Sequence, residues 1–85
     1  MNQSRQYDLI FIDSNHTAPF VLSDSVLSWP LLKKGGTMIF DDYIWGVGKK
    51  PTLTPKLAID SFISIYSDYA KIIFEGNFKA IKRIN

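Results

Sequence analysis

Tyr7-Asp8-Leu9-Ile10-Phe11-Ile12-Asp13 is a polar lead-in, four apolar residues without alternation, and a closing aspartate. An apolar run that does not alternate reads as a strand buried on both faces, the pattern of a parallel sheet covered by helices. A second run has the same character and also ends in acid: Gly35-Gly36-Thr37-Met38-Ile39-Phe40-Asp41-Asp42. Open α/β sheets place ligands beyond the carboxyl ends of their parallel strands. Asp13, Asp41 and Asp42, with His16 three residues after the first, therefore mark the candidate site.

The segments around these runs supply the rest of the fold. Between them the pattern predicts a helix over 17–29: Thr17 can cap it, Pro19 suits its first turn, and Leu22, Val26 and Trp29 fall on one face. Pro30 restricts the residue before it and ends the helix. Leu31-Leu32 then tucks against the core before Lys33-Lys34-Gly35-Gly36 breaks the chain ahead of a strand at 36–41. Residues 43–54 carry two glycines, a proline and Trp45 without a period, and read as a functional loop. A second helix is expected over 55–69, with Ala58, Phe62, Ile65, Tyr66 and Tyr69 inward and Asp60 on the surface. Residues 71–84 form a hairpin about a two-residue turn, Gly76-Asn77. The order strand, helix, strand, helix, hairpin makes the first two strands parallel through a right-handed crossover, with an antiparallel addition at the end.

Bulk composition narrows the class. Eighty-five residues make one small domain, and a chain of this size buries only roughly 60–65% of its unfolded surface. At 46% hydrophobic and 14% aromatic it is not a disordered chain. The start, Met1 to Gln6, is polar and lacks the apolar centre of a signal peptide, and no apolar run is long enough to span a membrane. With no cysteine there is neither a disulfide framework nor a thiolate metal site, which fits a cytoplasmic protein. A net charge of +2 does not by itself imply nucleic acid, and Lys79, Lys82 and Arg83 near the end read as a solvated surface.

These residues in this order resemble the C-terminal half of a class I S-adenosylmethionine-dependent methyltransferase. The likeness is carried by Tyr-Asp-Leu-Ile-Phe-Ile-Asp-x-x-His at 7–16, Leu-Leu-Lys-Lys-Gly-Gly at 31–36 and Ile-Phe-Asp-Asp-Tyr at 39–43. Pro55-Lys56-Leu57-Ala58-Ile59-Asp60 and the closing hairpin continue it. Ser14 stands where such proteins commonly have glycine, and Lys34 where they commonly have proline before the glycine pair. The resemblance implies an α/β, three-layer, Rossmann-like half-domain whose partly parallel sheet ends in an antiparallel hairpin. It also implies transfer of a methyl group, of the O-methyltransferase type, to a hydroxyl of a small molecule. Asp13, Asp41 and Asp42 would be ligands of Mg²⁺, a hard cation suited to carboxylate oxygens. His16 would be the general base, and Tyr43 and Trp45 would line the acceptor pocket.

Each of these residues also has a plain structural use. Asp13 or Asp41 can cap a turn, His16 can be an exposed helix-start residue, and Tyr43 and Trp45 can cover the core. The acidic strand end also resembles a response-regulator receiver, but that fold needs its acidic pair upstream of the acceptor strand, and here Asp41-Asp42 follows it.

The glycine-rich turn and the ribose-binding acid of the resembled family belong to its N-terminal half, so no cofactor-binding residue is identifiable here. Gly35-Gly36 precedes a strand instead of following one. The expectation is a chain that binds little S-adenosylmethionine and transfers no methyl group alone. A missing N-terminal half is one expected partner. The other is a second copy, paired edge to edge through 7–13 across a two-fold axis so as to continue the sheet and cover its bare faces. A non-catalytic, self-associating module is the alternative function.

Overall fold

The computed structural model of the chain describes residues 6–12 and 17–85. Four strands form one sheet: β1 (Tyr7–Ile12), β2 (Leu32–Phe40), β3 (Ala70–Glu75) and β4 (Lys79–Arg83). Their spatial order is β1-β2-β4-β3, with β1 parallel to β2 and both other pairings antiparallel. Helix α1 (Ala18–Ser28) connects β1 to β2, and α2 (Pro55–Ile65) connects β2 to β3. The last strand thus inserts between β2 and β3.

That topology decides the layering. The connections β1–α1–β2 and β2–α2–β3 step across the sheet in the same direction, and right-handed crossovers of one direction put their helices on one face. Ala18 and Val21 of α1 and Ala58, Ile59 and Phe62 of α2 accordingly share a single core with Met38, Phe40 and Ile81 of the sheet. Among the described residues the molecule has two layers, where three were expected. The register shows what the second face carries: Leu9 and Phe11 of β1 lie beside Thr37 and Ile39 of β2, while Met38 and Phe40 take the alternate positions in the core. Leu9 is 57% and Phe11 54% exposed.

The core is aromatic at its centre. Phe62 packs on Tyr66 at 4.2 Å between ring centroids, on Phe40 at 5.7 Å and on Trp29 at 5.8 Å. Several elements depart from the sequence reading. The buried stripe of α1 is Ala18, Val21 and Ser25, continued by Trp29, whereas Val26, expected inside, is exposed. The polar Ser25 is hidden from pattern reading because its hydroxyl donates to Val21 O at 2.7 Å, which satisfies it within the helix. Helix α2 buries Ile59 and leaves Ile65 exposed; it ends at Ile65, four residues early, and turns follow through Tyr69.

β2 begins at Leu32, ahead of the expected start at 36, and runs through the Lys33 to Gly36 segment expected to break the chain. Its pairing jumps from Tyr7–Leu32 to Leu9–Thr37, so Lys33 to Gly36 bulge out of the ladder without ending the strand. Gly35 supplies φ 86° for that bulge. Gly36 is buried, and a Cβ there would lie 2.8 Å from Lys33 O and 3.0 Å from Asp8 O. The hairpin connection has three residues, Gly76 to Phe78, because Glu75 pairs with Lys79. The extra residue is Phe78, held in the turn by stacking on Phe74 at 4.3 Å.

Candidate functional site

The parallel pair β1–β2 brings its two carboxyl ends together. Asp41 N–H donates to Ile12 O at 3.2 Å, extending the ladder one residue past β2. Asp41 continues the alternation of Ile39 and therefore stands on the sheet face opposite the helices. There it lines a cleft of about 290 Å³ with Phe11, Ile39 and Phe78. Asp13 and His16 lie outside the described residues. Among the described residues, no three His, Cys, Asp or Glu side chains group so as to hold a metal ion.

At Asp42 the chain turns over the end of the sheet. Its φ is 55°, a left-handed conformation that Asp tolerates better than most side chains, and its carbonyl accepts from Trp45 N–H at 2.9 Å. The turn carries Tyr43 back to the helical side. Asp41 and Tyr43, expected in one site, thus belong to opposite faces. Trp45 stays at the surface, 41% exposed, with the Lys49 ammonium 5.5 Å from its ring centroid. The chain then passes Gly46 and Gly48, both with positive φ, and a single 3₁₀ turn at Pro51–Leu53 that leads into α2.

On the helical side Tyr43 enters a polar cluster that sequence reasoning missed. Its hydroxyl donates to Asp60 Oδ1 at 2.6 Å. Lys79 of β4 donates to the same oxygen at 3.2 Å, and Lys56, one turn earlier on α2, donates to Oδ2 at 2.8 Å. Lys79 also lies 4.4 Å from the Tyr43 ring centroid and 3.5 Å from Glu75. Asp60 is therefore a hub that ties the loop after β2 to α2 and β4. Partial burial alone would raise its pKa. The hydrogen bonds from Lys56, Tyr43 and Lys79, with the Lys79 charge, outweigh that and hold its carboxyl below the ordinary aspartate value. Lys79 mirrors it: burial pulls its ammonium down, but Tyr43 and Asp60 leave it above the ordinary lysine value.

Only the Lys56–Asp60 spacing, one helical turn, was visible in the sequence. The other two contacts span 17 and 19 residues and are made by the fold. Asp60 also borders a second cavity, about 290 Å³, with Lys49, Thr54 and Lys56 on its walls. Lys79 and Arg83, read as solvated, are instead engaged: Arg83 donates to Leu32 O and lies 5.4 Å from the Trp29 ring.

A sheet with a parallel pair joined through a helix, and an antiparallel addition at its far edge, is the frame of a Rossmann-like α/β fragment. Comparison with known proteins makes it specific. A family model for a methyltransferase domain matches residues 1–43, that is 43 of 85, so the chain belongs to the methyltransferase-domain family. The match runs through β1, α1 and β2 and stops just past Asp41-Asp42. No curated protein matches the chain. No helix among the described residues is long and apolar enough to cross a membrane.

Proposed function

We propose that this chain is the C-terminal, acceptor-binding portion of an S-adenosylmethionine-dependent methyltransferase acting on a hydroxyl of a small molecule. The observation that carries the reading is the Asp41–Ile12 hydrogen bond, which aligns the carboxyl ends of two parallel strands inside the family-matched segment. In this reading Asp41 and Asp42, with Asp13 directly after Ile12 in the sequence, hold the acceptor end of the site. His16 takes the proton from the acceptor hydroxyl, a task suited to a group that titrates near neutral pH. Trp45, at the surface of the loop that follows, borders the approach, while Tyr43 is held by Asp60 on the other face.

The donor set, carboxylate oxygens at neighbouring strand ends, fits a hard divalent cation. Asp13, Asp41 and Asp42 would hold Mg²⁺, which would acidify the acceptor hydroxyl. The methyl donor is a different matter. Gly36 packs against backbone and has no room for a Cβ, and Gly35 sits in a bulge at the amino end of β2, so this glycine pair forms no cradle for a nucleoside. In this reading the 85 residues alone bind little S-adenosylmethionine, because the family's glycine-rich turn belongs to its N-terminal half.

Calorimetric titration tests both halves of the reading. Mg²⁺ should bind to the chain, and the Asp41→Asn and Asp13→Asn variants should each lose that binding while staying folded. S-adenosylmethionine should give no heat with or without Mg²⁺. Donor binding by the isolated chain would overturn the acceptor-only reading, and Mg²⁺ binding indifferent to both variants would remove the metal. A second reading, a self-associating module without chemistry, is favoured by one observation, the uncovered apolar face of the sheet.

A further inference from the structure

The face of the sheet opposite the helices has a graded composition. Its middle is apolar: Phe11, Ile39 and Ala80 form one row across β1, β2 and β4, flanked by Leu9, Phe74 and the Phe78 ring stacked on it. Asp41 stands at one end of this face. At the other end Lys82 pairs with Thr37 across β2–β4, and Lys71 of β3 lies directly opposite Lys82. Two like charges directly opposite each other on one sheet face repel, and both are exposed.

We propose that this face binds a second copy of the same chain, sheet against sheet, about a two-fold axis that runs across the strands near Ile39. An axis in that direction reverses the strands while keeping β1 over β1 and β2 over β2. Asp41 of each copy then meets the Lys82 end of the other, and the apolar rows face each other. Asp41 lies four positions beyond Thr37 of the Thr37–Lys82 pair, about 13 Å of strand, so both ion pairs form at once on either side of the axis. The pattern, acid at one end, base at the other and aromatics between, is complementary to itself only in this antiparallel arrangement. The like-charge pair Lys71–Lys82 gains an acid in the same step.

The area is adequate for a weak dimer. Leu9, Phe11 and Phe74 are half-exposed and Ile39 and Phe78 less so, and with an aromatic side chain carrying about 150–250 Å² the five together offer about 350 Å² per copy. Doubling that gives about 700 Å², the scale of a weak, transient contact and not of an obligate one. Edge pairing of β1 does not do this work. A two-fold normal to the sheet leaves both bare faces on the same side of the widened sheet, so it satisfies backbone groups and covers no apolar surface. The inference rests on the second reading, the self-associating module, because in the first Asp41 serves the acceptor site on this same face.

Sedimentation equilibrium of the full chain, from micromolar to millimolar concentration, reads the association, with circular dichroism as the check on folding. The wild-type chain should dimerise reversibly. Asp41→Lys and Lys82→Asp should each weaken the dimer about tenfold or more, because each places like charges face to face. The double variant should regain most of the loss. Phe11→Ser, at an exposed edge-strand position, should weaken it while preserving the fold. A chain that stays folded and monomeric throughout would overturn the proposal. So would a dimer indifferent to both single charge reversals, which is the result expected of β1 edge pairing.

Discussion

Asp60 shows how a side chain acquires a role that its own segment does not announce. Three donors from three elements converge on its two oxygens. Hydrogen bonds to charged groups contribute about 1.5–3 kcal/mol when buried, and with 38% of the Asp60 side chain exposed the lower end applies. Asp60→Ala should destabilise the chain by about 1–2 kcal/mol, read from the midpoint of urea unfolding. Because the folded carboxyl has a pKa below the ordinary 3.8, the unfolded chain binds the proton more readily in the acid range. The Asp60 contribution is therefore complete above the unfolded value and is lost as pH falls through the folded one. Lys79 works in the opposite sense: its folded pKa is raised above 10.5, so its contribution is complete below that value and fades as pH rises beyond it. Stability measured against pH should fall at both ends for the wild type, and Asp60→Asn should flatten the acid limb.

Secondary-structure elements here are shaped by a few close approaches. Gly36 is the clearest case, since a methyl group there meets the backbone carbonyls of Lys33 and Asp8 at 2.8 and 3.0 Å, and backbone gives way less readily than the end of a flexible side chain. Gly36→Ala should cost about 1–3 kcal/mol. In a domain this small that lowers Tm by about 4–8 °C per kcal/mol, a shift that scanning calorimetry resolves. At Gly35 a Cβ meets nothing within 4 Å, so the cost there comes only from its positive φ. On α2, Phe62 is fully buried and touches aromatic rings from the turn after α2, from β2 and from the turn after α1. Phe62→Ala removes about 3–5 kcal/mol, enough to leave so small a domain largely unfolded, whereas Phe62→Leu should retain a cooperative transition.

For the whole molecule the deciding feature is asymmetry: both helices cover one face of a sheet that is apolar on two. Crossovers of one hand stepping in one direction cannot place a helix on the other face. The uncovered residues are the same Leu9 and Phe11 whose unbroken run with Ile10 and Ile12 signals a doubly covered strand. If a second copy supplies the cover, mass action makes stability depend on concentration. Thermal unfolding of the wild type should then move to higher temperature as concentration rises, and that dependence should weaken in Phe11→Ser.

Local patterns in the chain determined the number and order of the strands and helices, because apolar runs, prolines and the Gly-Asn turn act within a few residues of themselves. They also located the acidic strand end at Asp41-Asp42, since a strand must stop where its apolar run does. Which face of α1 is buried, the bulge that keeps Lys33 to Gly36 inside β2, and the insertion of β4 between β2 and β3 were decided only by packing. The same holds for the separation of Asp41 from Tyr43. The two are separated only by Asp42, yet the left-handed turn there sends them to opposite sides of the sheet. Asp60 met Tyr43 and Lys79 because three elements came together, and distances of that kind exist only once the chain has folded.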